Sequence, residues 1–99
     1  MTSMNSLMGL SESDEILFKE ILNTIPYAIS AYGSRVKGNY KKLSDIDLCI
    51  MEEVDDLTLF HIKEQFSDSD LPMKVDLKRW SDLSADFQSL IQADLQKLK

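Results

Sequence analysis

Residues 33–47 read GSRVKGNYKKLSDID, a glycine turn, a basic stretch and a pair of aspartates two residues apart. The turn closes a short β-prone run, YAISAY over residues 27–32, and the aspartates open a second, DIDLCIM over residues 45–51. Period-two alternation places Asp45, Asp47 and Cys49 on one face of that second strand and Ile46, Leu48 and Ile50 on the other, where they can enter a core. A third run, MKVDLKRW over residues 73–80, follows Pro72 and alternates Val75 and Leu77 with Lys74, Asp76 and Lys78. If the two strands are neighbours with their acidic faces matched, three aspartates converge. Like charges so close repel unless a cation neutralises them, and an all-oxygen ligand set favours Mg²⁺ or Mn²⁺.

Outward from this centre the pattern is helical. Ser11 with Asp14 three positions on resembles a capping box, and Leu17, Phe18, Ile21, Leu22 and Ile25 recur at three- and four-residue spacing until Pro26. Asp55 or Asp56 caps a second helix carrying Leu57, Leu59, Phe60, Ile62 and Phe66. Ser81 or Ser84 opens a last helix whose Leu83, Phe87, Leu90, Ile91, Asp94 and Leu95 mark an amphipathic face running to the C-terminus. A turn, with one helical turn after Ser34, joins the first two strands. The order is α-β-β-α-β-α, an α/β (α+β) class in which a small mixed sheet of three to four strands carries its helices mainly on one face. Residues 1–10 read as a flexible N-terminus and residues 11–99 as one domain.

The turn supplies what a phosphate site needs. Gly33 allows close approach of the backbone, Ser34 offers a hydroxyl and backbone N–H groups, and Arg35, Lys37, Lys41 and Lys42 form a basic run with no acid among them. Taken singly, each feature also has an ordinary reading: glycines that punctuate a hairpin, strand-end acids, a solvated Asp76. Their combination points to phosphate chemistry. Two rival motifs fail. A Walker A loop begun at Gly33 would require Lys and Ser or Thr where Asn39 and Tyr40 stand, and an EF-hand begun at Asp45 would need an oxygen ligand and Gly where Cys49 and Ile50 stand. His61 lacks a partner motif and reads as a helix residue, Cys49 as a small strand hydrophobe and Trp80 as packing at a strand end.

Ninety-nine residues with 43% hydrophobic content suit a single globular domain with a thin core, so any deep substrate pocket would have to be shared with another molecule. Eleven bases against 17 acids, a net charge of −6, would repel a nucleic-acid backbone. The first fifty residues hold five bases and six acids, so the excess of acid lies in the second half. One cysteine excludes an intramolecular disulfide, and neither a signal peptide nor an apolar run of membrane-spanning length is evident, so a cytoplasmic protein without a membrane partner is expected.

The GS pair, ten intervening residues and DID together resemble the signature of the nucleotidyltransferase superfamily that includes DNA polymerase β. A chain this short, similar over about residues 13–95, resembles in particular the minimal nucleotidyltransferase antitoxins that pair with HEPN toxins. The resemblance implies the nucleotidyltransferase fold. It assigns Gly33, Ser34 and, beside them, Arg35 to nucleotide binding, Asp45 and Asp47 to the metal pair, and Asp76 to the third catalytic and metal-binding carboxylate. It further implies two Mg²⁺ ions, ATP as substrate, and transfer of AMP to a tyrosine of a HEPN ribonuclease toxin in a hetero-oligomer. The last helix, or the acidic face of residues 51–70, is the expected docking surface for such a basic partner. Two other readings stand beside it: a module that neutralises its partner by occlusion, and an enzyme acting on a small molecule or an RNA end.

Overall fold

The structure, a computed structural model, describes residues 7–99. Ser11 caps the first helix, α1 (Glu12–Asn23): its Oγ accepts the Asp14 N–H at 3.2 Å, and Glu12, Asp14 and Glu15 place negative charge at the positive end of the helix dipole. A 3-10 turn, Leu7–Gly9, precedes it and is tied back where the Leu7 N–H donates to the Glu15 carboxylate at 3.0 Å. That bond, with Lys19 alongside, holds the Glu15 carboxyl below the usual range. Of the loose end expected over residues 1–10, residues 1–6 lie outside the described residues, while residues 7–10 pack down because Met8 and Leu10 have apolar surface to bury.

After α1 come β1 (Ile29–Tyr32), a single helical turn α2 (Ser34–Lys37) and β2 (Ile46–Ile50). Asp55 caps α3 (Asp56–Ser67) by accepting the Thr58 N–H at 2.8 Å, and β3 (Val75–Arg79) follows. Ser84 caps α4 (Ala85–Gln92) by accepting the Phe87 N–H at 3.1 Å, and the chain finishes in a two-residue strand, β4 (Gln96–Lys97).

The strands form one mixed sheet in the order β3-β2-β1-β4. β1 and β2 are antiparallel, and β2 and β3, joined through α3, are parallel. Alternation sorts the side chains as the sequence pattern requires. Ile29, Ala31, Ile46, Leu48, Ile50 and Leu77 face α1 and α3 in one core, where Phe18 and Phe66 approach with ring centroids 5.9 Å apart. Tyr32 and Cys49 face the other way and are covered by Phe87 and Ile91 of α4. Thus α1 and α3 occupy the expected common face, but α4 takes the opposite one, the face of the aspartates.

The last helix does not run to the C-terminus. It ends at Gln92, and the chain beyond it turns to pair with β1, matching Ala31 with Gln96 and Ser30 with Lys97. The competing gain is satisfaction of an open sheet edge: Ile29 N–H donates to the Lys99 carbonyl and Leu98 N–H to the Ile29 carbonyl, both at 2.9 Å. Lys99 Nζ also donates to the carbonyls of Leu22, in the last turn of α1, and Ile25, just beyond it. Among the described residues no helix is long and apolar enough to cross a membrane.

Candidate active site

Register decides the centre of the site. Asp47 lies directly opposite Asp76 in the parallel pair, and opposite Tyr32 in the antiparallel pair. Neighbouring strands are about 4.8 Å apart, so the two carboxylates share one face at close quarters. The electrostatic consequence appears at Asp47, whose carboxyl is pushed above its ordinary range, first by burial and then by the charges of Asp76 and Asp45, with Lys78 opposing. Lys78, two residues along the same face, places its Nζ 2.6 Å from Asp76 Oδ2.

Gly33 joins this pair to the turn. It caps α2 with φ 86° and ψ −161°, a conformation open to glycine and strained for other residues, and a Cβ there would collide with the Asp47 carboxylate. Turn and acid are therefore in direct contact. Substituting Gly33→Ala is expected to cost about 1–3 kcal/mol in backbone strain alone and to displace Asp47, lowering stability and transfer activity together. Thermal unfolding and turnover of the same preparation check this; a variant unchanged in both would show that the turn tolerates a side chain. Ser34, half-buried, begins α2, and as in any helix its first backbone N–H groups have no intrahelical acceptor.

Asp45 stands just ahead of β2 and is exposed, although its charge reaches Asp47. Among the described residues no three acidic, histidine or cysteine side chains are gathered at metal-ligating spacing, so the three aspartates share a side of the molecule without forming a closed cluster. The donor set is nonetheless all carboxylate oxygen, which suits a hard divalent cation, and the raised Asp47 carboxyl marks a place where positive charge would be favourable.

The Arg35 side chain does not line the cavity over Asp47 and Asp76. It is 3% exposed, and its guanidinium donates to the carbonyls of Ser44 at 2.9 Å, Met8 at 3.1 Å and Lys42 at 2.8 Å while lying 5.1 Å from the centroid of the Tyr40 ring. Its hydrogen bonds go to the N-terminal 3-10 turn and to the loop that carries the chain from α2 to Asp45. The guanidinium is therefore committed to holding the turn and the loop together. Of the basic run, Lys37 is the member that borders the site, with its Nζ 3.6 Å from Asp94 beyond α4. Both groups are well exposed, so this pair contributes little to stability.

A cavity of about 390 Å³ lies over the acids. One wall is charged, formed by Lys37, Asp47, Asp76, Lys78 and Asp94, and the other is apolar, formed by Tyr32 with Phe87, Leu90 and Ile91 of α4. Tyr32 and Phe87 meet edge to face at 5.8 Å, and burial together with the neighbouring acids drives the Tyr32 phenol far above its normal range. Burial also pushes the Cys49 thiol up to about 11, so it is protonated at neutral pH and packs as a small apolar residue. His61 meets Phe60 edge to face along α3, and neither residue lines this cavity. Sequence does not reveal the α4 wall, because an amphipathic stripe does not say which face of a sheet it covers. Lys78 is legible in the sequence as a residue sharing the Asp76 face, but not as its partner.

A family model described as "Polymerase beta, Nucleotidyltransferase" matches residues 10–98. A curated relative from Haemophilus influenzae, named "Probable protein adenylyltransferase MntA", is 44% identical over 95 residues, an alignment spanning 93% of this chain and 83% of the relative. A solved structure described as "Crystal structure of the toxin-antitoxin with AMP-PNP" superposes with a TM-score of 0.65 over 91% of this chain and 73% of that one, at 22% identity, and so has the same fold.

Proposed function

The chain belongs to the polymerase beta nucleotidyltransferase family, and from that membership we propose that it is a cytoplasmic, Mg²⁺-dependent protein adenylyltransferase that acts as an antitoxin, moving AMP from ATP onto a tyrosine of a HEPN ribonuclease toxin. The observation that carries this reading is the placement of Asp47 and Asp76 opposite one another, against the Gly33 turn and under an open cavity. The 44% identical relative named as an adenylyltransferase, and the likeness to a toxin-antitoxin structure holding an ATP analogue, point the same way.

Each residue then has a task. Gly33 and Ser34 present backbone N–H groups and a hydroxyl to the outer phosphates, with Lys37 adding positive potential at the rim. Asp45 and Asp47, joined by Asp76, are the residues that would hold two Mg²⁺ ions, which when bound supply charge stabilisation to the triphosphate and its leaving group. The acceptor hydroxyl oxygen forms a bond to the α-phosphorus, the bond from that phosphorus to the bridging oxygen breaks, and diphosphate leaves with the electron pair. In this reading Asp76 takes the hydroxyl proton. The apolar α4 wall excludes water from the attacking side, and the partner protein completes the cleft in a hetero-oligomer.

Two measurements test this. Incubation with ATP, Mg²⁺ and the HEPN partner is expected to add adenylate mass to a partner tyrosine, and Asp45→Ala/Asp47→Ala should abolish the adduct; neutralisation of the partner by wild type without any adduct would show occlusion instead. Separately, Mg²⁺ at a hundredfold excess over its dissociation constant should stabilise the wild-type chain by about 2.7 kcal/mol. Asp47→Asn should remove that shift, and an identical shift in the variant would exclude Asp47 as a ligand.

A further inference from the structure

β3 ends the sheet, and among the described residues no strand pairs with its outer side. Because Ile46 faces Val75 and its N–H donates to the Lys74 carbonyl at 2.9 Å, the β3 backbone groups turned toward β2 are those of Lys74, Asp76 and Lys78. Val75 and Leu77 therefore aim their N–H and C=O groups outward, as a free template for another strand. Alongside this edge, on the α3 face, runs a groove of about 410 Å³ with an apolar floor that includes Phe66, Leu71 and Met73. Its exposed charged rim is Lys63 and Lys74, a local excess of positive charge on an acidic protein. Asp76 borders both this groove and the cavity over the acids.

Resting on the adenylyl-transfer reading, we infer that the acceptor is presented on an extended segment of the partner that adds to the free edge of β3. The two-residue period of a strand then sets where each side chain of that segment goes. A residue placed opposite Asp76 projects onto the acid face, within one strand spacing of the Asp76 carboxylate, while its two neighbours project onto the α3 face and into the groove. The segment therefore carries the acceptor hydroxyl flanked by apolar and acidic residues, the acids meeting Lys63 and Lys74. Main-chain pairing holds the segment, and the hydroxyl oxygen forms its bond to the α-phosphorus as diphosphate departs and the proton passes to Asp76. Arg79, bonded to Asp56, Asp82 and the Val54 carbonyl, closes the far end of the edge and limits the addition to Val75–Leu77.

Hydrogen exchange on the complex with the HEPN partner tests this. The Val75 and Leu77 amides are expected to exchange at least tenfold more slowly in the complex than in the free chain. Val75→Pro removes one outward donor at a place where an edge strand tolerates proline, and should cut partner modification at least tenfold with ATP-analogue binding unchanged. Lys63→Glu/Lys74→Glu tests the groove without touching the backbone and should have the same effect. Unprotected amides in a formed complex, or wild-type modification by folded Val75→Pro and Lys63→Glu/Lys74→Glu chains, would overturn the inference. Protected amides with no adduct in wild type would uphold strand addition and reject adenylyl transfer.

Discussion

Asp47→Asn is expected to lower AMP transfer by about 10³-fold or more and yet to raise the melting temperature of the metal-free protein. The first effect is expected because the carboxylate removed lies between the Gly33 turn and Asp76, at the centre of the proposed site. The second arises from the raised Asp47 carboxyl: burial and the facing Asp76 and Asp45 charges make the ionised form unfavourable in the native state. Removing the ionisable group relieves that cost, so the variant is expected to melt above the wild type. The pH dependence of that cost has a definite sign. As pH rises from below the ordinary aspartate value of 3.8, the unfolded chain releases this proton first while the native chain retains it. Native stability contributed by Asp47 therefore falls across the window up to its raised native value and is level above it. The stability gap between variant and wild type should be absent below that window, open through it and persist at neutral pH. A wild-type chain as stable as the variant at pH 7 without divalent cations would contradict this assignment.

Arg35→Ala has the largest expected effect on stability, a loss of about 3 kcal/mol and a fall in Tm of more than about 10 °C. Removing the guanidinium deprives the carbonyls of Met8, Lys42 and Ser44 of their donor and leaves a void under the Tyr40 ring. Arg35→Lys restores the charge but not the planar fork, and should recover only a small part. Calorimetry read beside ATP-analogue binding separates the two possible roles. A residue holding nucleotide would weaken binding at unchanged Tm, whereas the buried geometry predicts unfolding first and binding loss only in proportion to it.

These two residues mark the limits of what local pattern reveals. Asp47 and Asp76 are readable because alternation of Ile46, Leu48 and Ile50, and of Val75 and Leu77, leaves no choice of face once the apolar side is buried. Ser11, Asp55 and Ser84 are readable as caps because capping is a contact three residues long. Arg35 misleads because its acceptors are backbone carbonyls, which every residue carries and no composition distinguishes. The final strand escapes for a related reason: Asp94 and Leu95 continue the helical spacing, and what diverts them is an unpaired edge of β1 more than sixty residues earlier. Likewise, α4 could have joined α1 and α3, and only the apolar surface left by Tyr32 and Cys49 sends it to the acid face.

That position of α4 makes the site's outer wall its least anchored part. α1 buries Phe18 and Leu22, and α3 buries Ile62 and Phe66, whereas the eight residues of α4 bury only Ile91, with Leu90 71% exposed. Local opening free energy scales with buried apolar contact, so the α4 amides are expected to exchange faster than those of α1 and α3. The outer wall of the cavity thereby hangs on one short helix, while Asp47 and Asp76 ride on strands that bury Ile46, Leu48, Ile50 and Leu77 in the core.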